Sequence, residues 1–160
     1  MTVDDPNIRK AEEADFLAIA RVWHASWHVS EGLLCPAAAQ GRNLAWFEGR
    51  AGTNATRMFV AQIQGEIVGF VGWEEDGIDQ LFVLPDYFGC GIAQRLLNVA
   101  EDVLRSEGHL KIWLHCVKGN DRASRFYEKQ GWRVVHEFDA EMKTNTAPVL
   151  ARALHMEKDL

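Results

Sequence analysis

Disulfide chemistry has little material here: among 160 residues there are three cysteines, Cys35, Cys90 and Cys116, too scattered for a covalent framework. Long apolar runs are lacking as well, and none reaches the roughly 18 residues of a membrane span. Where a secretory leader would need an apolar core, residues 1–10 carry Asp4, Asp5 and Pro6. These absences lead to the expectation of a cytoplasmic protein with no membrane partner. A basic excess is also missing. The formal net charge of −6 opposes the fields of nucleic acid and anionic lipid, so neither is an expected partner. No internal repeat or linker interrupts the chain. With 48% hydrophobic and 25% charged residues, positions 1–160 read as a single domain able to enclose a full core.

What is present changes period along the chain. A short strand is expected at 8–11. Phe16, Ile19, Ala20, Trp23 and Trp27 then recur at spacings of three or four, which predicts a helix over 12–28. Gly32, Cys35 and Pro36 are expected to end it, before a second helical stretch at 37–48 and a loop at 49–56. Strand formers at 58–63 and 66–73 flank Gln64-Gly65, a hairpin turn. A strand at 78–84 stops at Pro85, and 91–107 is the clearest helix, with Ile92, Leu96, Leu97, Ala100, Val103 and Leu104 on one side and Gly108 at its C-terminus. A strand at 110–117 precedes a helix at 120–130, bounded by Asn120 and Gly131. Strands at 132–139 and 151–158 enclose a polar loop with Thr144, Asn145 and Pro148. This order gives an α/β fold of the α+β kind: a mixed, mostly antiparallel sheet with helices on both faces. The right-handed crossover makes strands 78–84 and 110–117 the parallel pair.

The richest segment is Val83-Leu84-Pro85-Asp86-Tyr87-Phe88-Gly89-Cys90-Gly91-Ile92-Ala93-Gln94, a strand entering a glycine-rich turn and then a helix. Early helical N–H groups have no intrahelical acceptor and the dipole is positive at that end, which suits a phosphate. The same glycines would equally serve a tight turn alone. The lysine and hydroxyl of a nucleotide-triphosphate loop are missing, as is the full dinucleotide fingerprint. Downstream lies Asn120-Asp121-Arg122-Ala123-Ser124-Arg125-Phe126-Tyr127-Glu128-Lys129-Gln130-Gly131-Trp132.

Together the two segments resemble the GNAT superfamily of N-acetyltransferases. Gly91 and Ala93 match its Q/R-x-x-G-x-G/A motif; Asn120, Ala123, Phe126, Tyr127 and Gly131 match N-x-x-A-x-x-F-Y-x-x-x-G-F, with Trp132 as the final aromatic. The likeness extends to the first helix and, more loosely, to His155-Met156-Glu157-Lys158. Phe88 departs from the usual Gln or Arg, whose side chain helps at the pyrophosphate; Arg95 and Arg125 are candidates to compensate.

The resemblance implies that acetyl-CoA lies where the parallel strands splay apart. Leu81, Phe82 and Val83 would then offer backbone groups to the pantetheine and acetyl carbonyl. Phe88, Gly89, Cys90, Gly91, Ile92, Ala93 and Gln94 would surround the pyrophosphate, with Asn120, Ala123, Phe126 and Tyr127 on the facing helix. Tyr127 is the implied general acid at the departing sulfur. With a phenol pKa of about 10 and a thiol of about 8.5, full transfer is uphill by roughly 2 kcal/mol, which favours a hydrogen-bonding role. A core aromatic is the other reading of Tyr127. His24, His28, Asp79, which shares strand parity with Leu81 and Val83, and His115 are all open as bases, as is a water relay. His109, His115 and Cys116 match no zinc spacing, so no metal is expected.

Trp27 and Trp46 lie on helices that wall the acceptor site in that family, and Glu31 and Glu48 would attract a cationic amine. The acceptor is thus a small-molecule or peptide amine or a lysine, and a homodimer stays open. A catalytically silent acyl-CoA-binding domain of the same fold is the alternative.

Overall fold

The computed structural model describes residues 4–53 and 57–160. Strand β1 (Asn7–Lys10) leads through a 3-10 turn (Glu13–Asp15) into α1 (Phe16–Val29). Three short helices follow: α2 (Glu31–Leu34), α3 (Pro36–Gln40) and α4 (Leu44–Ala51). Then come β2 (Met58–Ile63), β3 (Glu66–Glu74), β4 (Gly77–Val83), α5 (Ile92–Ser106), β5 (Lys111–Val117), α6 (Asp121–Lys129), β6 (Arg133–Met142) and β7 (Val149–Asp159). The strands form one sheet in the order β1-β2-β3-β4-β5-β7-β6, antiparallel except where β4 meets β5. This is the mixed sheet expected, with the parallel pair in the expected place.

Three local expectations need correction. The first helix breaks at Ser30, whose hydroxyl donates to the Ser26 carbonyl at 2.7 Å. Gly32 lies inside α2 instead of ending a helix. A Cβ there would approach the Trp27 ring to 3.1 Å, so the position requires smallness. Of the loop expected at 49–56, Gly49, Arg50 and Ala51 continue α4, because Asn43 caps the Trp46 N–H and Phe47 and Ala51 share its buried face. Residues 54–56 lie outside the described residues.

Each face of the sheet has its own core. On one, Leu96, Leu97, Ala100 and Leu104 of α5 pack on Val71, Val83, Ile112, Leu114 and Met156. On the other, Ile19, Val22, Trp23 and Trp27 of α1 join Phe47 of α4 against Val60 and Phe70. Each of the buried Val, Leu, Ile, Phe and Met side chains among them contributes about 1.5–3 kcal/mol. Among the described residues two carboxylates are buried: Asp15 accepts from Arg9 at 2.7 and 2.9 Å, and Glu101 of α5 accepts from the Trp132 indole at 3.2 Å and from Lys158 at 2.9 Å, tying α5 to the last strand.

Candidate active site

The sheet opens in its middle. β4 and β5 pair only at Gly77–Trp113 and Ile78–Leu114, although β4 continues to Val83 and β5 to Val117. Part of the cause is a bulge: Gly72 faces Gln80 and Trp73 faces Ile78, so Asp79 is skipped, and bulges sharpen local twist. Past the bulge, the Leu84 N–H donates to the Val68 carbonyl at 2.8 Å. Antiparallel alternation therefore turns the backbone groups of Val83 and Leu81 the other way, toward the gap. A cavity of about 380 Å³ occupies this opening, and Leu81, Phe82 and Val83 line it.

At one end of the cavity is the glycine turn. Gly89 (φ +77°) and Gly91 (φ +81°) are both left-handed, a region that side-chain-bearing residues enter at a cost. A Cβ at either would meet no protein atom within 4 Å, so conformation and not crowding dictates glycine here. Gly91 is the N-cap of α5, and Arg95 N–H is bonded to its carbonyl at 3.2 Å. The N–H groups of Ile92, Ala93 and Gln94 thus precede the helical ladder, and all three residues line the cavity. Cys90 does not; its side chain is exposed beside the Phe88 carbonyl.

Phe88 lines the cavity under a guanidinium: Arg122 sits 3.7 Å above its ring and lines the cavity too. The two compensating arginines suggested by sequence lie elsewhere, Arg95 paired with Asp5 and Arg125 exposed outside the lining. Arg122 was legible in principle, being the residue two beyond the helix-capping Asn120.

Helix α6 supplies the opposite wall. Asn120 accepts from the Ala123 N–H at 3.4 Å, and Asn120, Ala123, Phe126 and Tyr127 all line the cavity. Tyr127 packs edge-on against Phe126 and Trp132 at 5.2 and 6.0 Å between ring centres. Burial, reinforced by Cys116 and Glu31, drives its hydroxyl pKa far above the usual phenol value, so it stays protonated and keeps its proton available for donation. Burial also pushes the Cys116 thiol up to about 12, which removes it as a thiolate nucleophile at neutral pH.

The other sheet face contributes Ser26, Ser30, Glu31 and His115. Sequence reading missed the two serines, which the four-residue spacing on one helical face could have signalled, and also Tyr87, Cys116 and Gln130. Burial raises the Glu31 carboxyl, with Trp27 and Arg42 pulling it back. His115 is shifted down by burial and by His155 and His136, which leaves it neutral at pH 7.

The remaining candidates lie outside the lining. Trp27 is fully buried core, and Arg42 is stacked on both Trp27 and Trp46, 4.7 and 4.2 Å from their ring centres, so an arginine already occupies the expected aromatic wall. His28 is engaged through Nε2 with the Arg42 carbonyl at 2.6 Å, and His24 packs on His28 and Phe47. Asp79 is exposed at the bulge, which cancels the strand parity that aligned it with Leu81. Glu48 is exposed as well. Among the described residues, no group of three or more His, Cys, Asp or Glu is placed to hold a metal ion, and no helix is long and apolar enough to cross a membrane.

Comparison with known proteins agrees with this geometry. An uncharacterized N-acetyltransferase of Mycobacterium tuberculosis (strain H37Rv) is 33% identical over 82 residues, 48% of this chain and 53% of that protein. The match thus spans about half the length of that relative. A GCN5-related N-acetyltransferase structure from Rhodopseudomonas palustris superposes with a TM-score of 0.79 at 22% identity, covering 100% of this chain and 99% of the other. The PaiA N-acetyltransferase of Thermoplasma acidophilum, solved in complex with coenzyme A, gives 0.72 at 19% identity, covering 98% and 99%. Residues 17–132 match the acetyltransferase (GNAT) family, and on that match the chain belongs to it.

Proposed function

We propose that the protein moves an acetyl group from acetyl-CoA to an amine by direct attack within a ternary complex. One observation carries this reading: a single cavity at the strand opening reaches both sheet faces, joining an anion-suited helix start and Tyr127 to Ser26, Ser30, Glu31 and His115. A binding-only module would have no task for that second set. The coenzyme A complex of the Thermoplasma acidophilum protein supports the choice of cofactor.

In this reading, the N–H groups of Ile92, Ala93 and Gln94 and the Arg122 guanidinium hold the pyrophosphate. Bound acetyl-CoA supplies a thioester already activated toward amines. Leu81 and Val83 orient it through backbone groups, and an N–H aimed at the carbonyl oxygen stabilises the oxyanion. Tyr127 donates a hydrogen bond to the sulfur as charge develops. Glu31 and the serines draw in a cationic amine, and orientation beside the thioester provides much of the rate. The free thiols of Cys35, Cys90 and Cys116 fit a reducing cytoplasm.

The test is a CoA-release assay over a panel of small amines, peptides and antibiotics, with mass spectrometry of the products. Thiol release matched by an acetylated acceptor is expected. Acetyl-CoA binding without release from any amine would favour the binding-only module.

A further inference from the structure

The open face of β5, β7 and β6 carries three imidazoles, His115, His155 and His136. Register brings them together. His115 faces His155 across β5 and β7, and a bulge at Val135 places His136 opposite His155 in β6. His115 Nε2 lies 3.1 Å from His155 Nδ1, and His155 Nε2 lies 3.2 Å from a Glu157 carboxylate oxygen.

We propose that Glu157 and His155 are positioning residues that fix the tautomer of His115, and that His115 is the base that deprotonates the acceptor amine. The proposal rests on the acetyltransferase reading. Its logic is one of donors and acceptors. Ionised Glu157 can only accept, so His155 carries its proton on Nε2 and presents a bare Nδ1. That nitrogen can only accept, so His115 carries its proton on Nε2 and keeps a lone pair on Nδ1. Glu157 is held ionised by the His155 bond and by Lys111 and Arg133, each 3.6 Å away.

The middle ring is clamped. Trp113 and His136 stack on either side of His155, 5.9 and 4.7 Å away, with planes within 22° and 20°. Trp113 is itself fixed by an indole bond to Asp76 at 2.9 Å, and only glycine fits at 77, where a Cβ would come within 2.7 Å of the indole. The groups facing the relay are therefore Lys111 and Trp113 on β5, Glu157 on β7, and Arg133, His136 and Phe138 on β6, with Glu31 across the cavity.

His115 also lies on the correct side. Strand alternation puts Cys116 on the α5 face with Tyr127, and His115 on the opposite face, which α1 covers over β3 and β4 and leaves open at His115. Cofactor and amine thus approach from opposite faces, each meeting its own proton carrier. An arriving ammonium gives one proton to His115 Nδ1, and its lone pair forms the N–C bond to the acetyl carbon. The C–S bond then breaks, with the electron pair going to sulfur. A second proton leaves nitrogen to balance the one that sulfur gains, and the exposed imidazolium discharges to water.

The experiment measures rate against pH, acetyl-CoA affinity by calorimetry, and imidazole tautomers by nitrogen NMR, on wild type, His115→Ala, His155→Leu and His155→Asn. His115→Ala should lower kcat/KM for the amine about 10²-fold and abolish the acid limb. His155→Leu should lower kcat about tenfold, within the range for a disturbed base. His155→Asn, whose amide oxygen stands where Nδ1 stood, should restore most of that loss. Acetyl-CoA affinity should stay at the wild-type value throughout, and NMR should find both rings protonated on Nε2. An active His115→Ala with its acid limb intact, or the opposite tautomer in wild type, overturns the relay alone. A wild type that binds acetyl-CoA and transfers to no amine overturns the acetyltransferase reading, and the relay with it.

Discussion

Replacing Tyr127 with phenylalanine removes one oxygen and leaves the ring that touches Phe126 and Trp132. Packing should therefore survive, and the melting temperature should move little. The hydroxyl is held protonated by burial, so full transfer to sulfur is more uphill than in water and donation is its role. Losing one donor aimed at developing charge costs about 10²-fold in kcat, or about 2.7 kcal/mol. The acetyl-CoA dissociation constant should scarcely change, because the bond strengthens only as the sulfur becomes anionic. Thioesters with more acidic thiols should lose less. The sign of the pKa shift adds a check: protonated Tyr127 persists far into alkali, so no fall in rate from its ionisation should occur up to about pH 10. The assay is thiol release under saturating amine, with calorimetry and a thermal melt on the same samples. Turnover within threefold of wild type would make Tyr127 a packing residue and refute the reasoning.

Four other outcomes follow from the geometry. Gly91→Val forces a β-branched residue to φ +81° beside the free N–H groups, at a strain of about 1–2 kcal/mol; calorimetry should find acetyl-CoA binding lost, and unchanged affinity would remove the turn from the site. Arg122→Ala should weaken CoA binding about tenfold at low salt and less at high salt, since a partly exposed cation is screened. Phe88→Arg alone should not tighten binding, because it sets a second guanidinium beside Arg122, but it should restore affinity in the Arg122→Ala background, which a titration series over both variants will check. Lys158→Met leaves the Glu101 carboxylate with only the Trp132 indole, and urea unfolding should register a loss of about 2 kcal/mol, the range for a hydrogen bond to a charged group; no loss would show that the carboxylate is solvated.

The cofactor side was legible because its signals are local. Gly89, Gly91 and the start of α5 lie within a few residues, and the capping of Ala123 by Asn120 is a three-residue event. The acceptor side depends on contacts far apart in sequence. Nothing near Trp27 announces that Arg42 covers it, and nothing near Phe88 announces that Arg122 lies on its ring. Strand parity breaks wherever a bulge intervenes: regular alternation would align Asp79 with Leu81, and the sheet skips Asp79. The bulge at Val135 has the same character, since a one-residue slip decides whether His136 meets His155 at all.

The central claim is direct transfer at the β4–β5 opening, and the most direct measurement follows the acetyl group itself. Protein mixed with acetyl-labelled acetyl-CoA and a responsive amine is quenched through a single turnover, and label is counted on cofactor, protein and amine. Label should leave the cofactor and reach the amine at one rate, none should accumulate on the protein, and Gly91→Val should stop the transfer. Label held on Cys116 or Cys90 before the amine acquires it, or label that never leaves the cofactor with any amine, would contradict direct transfer.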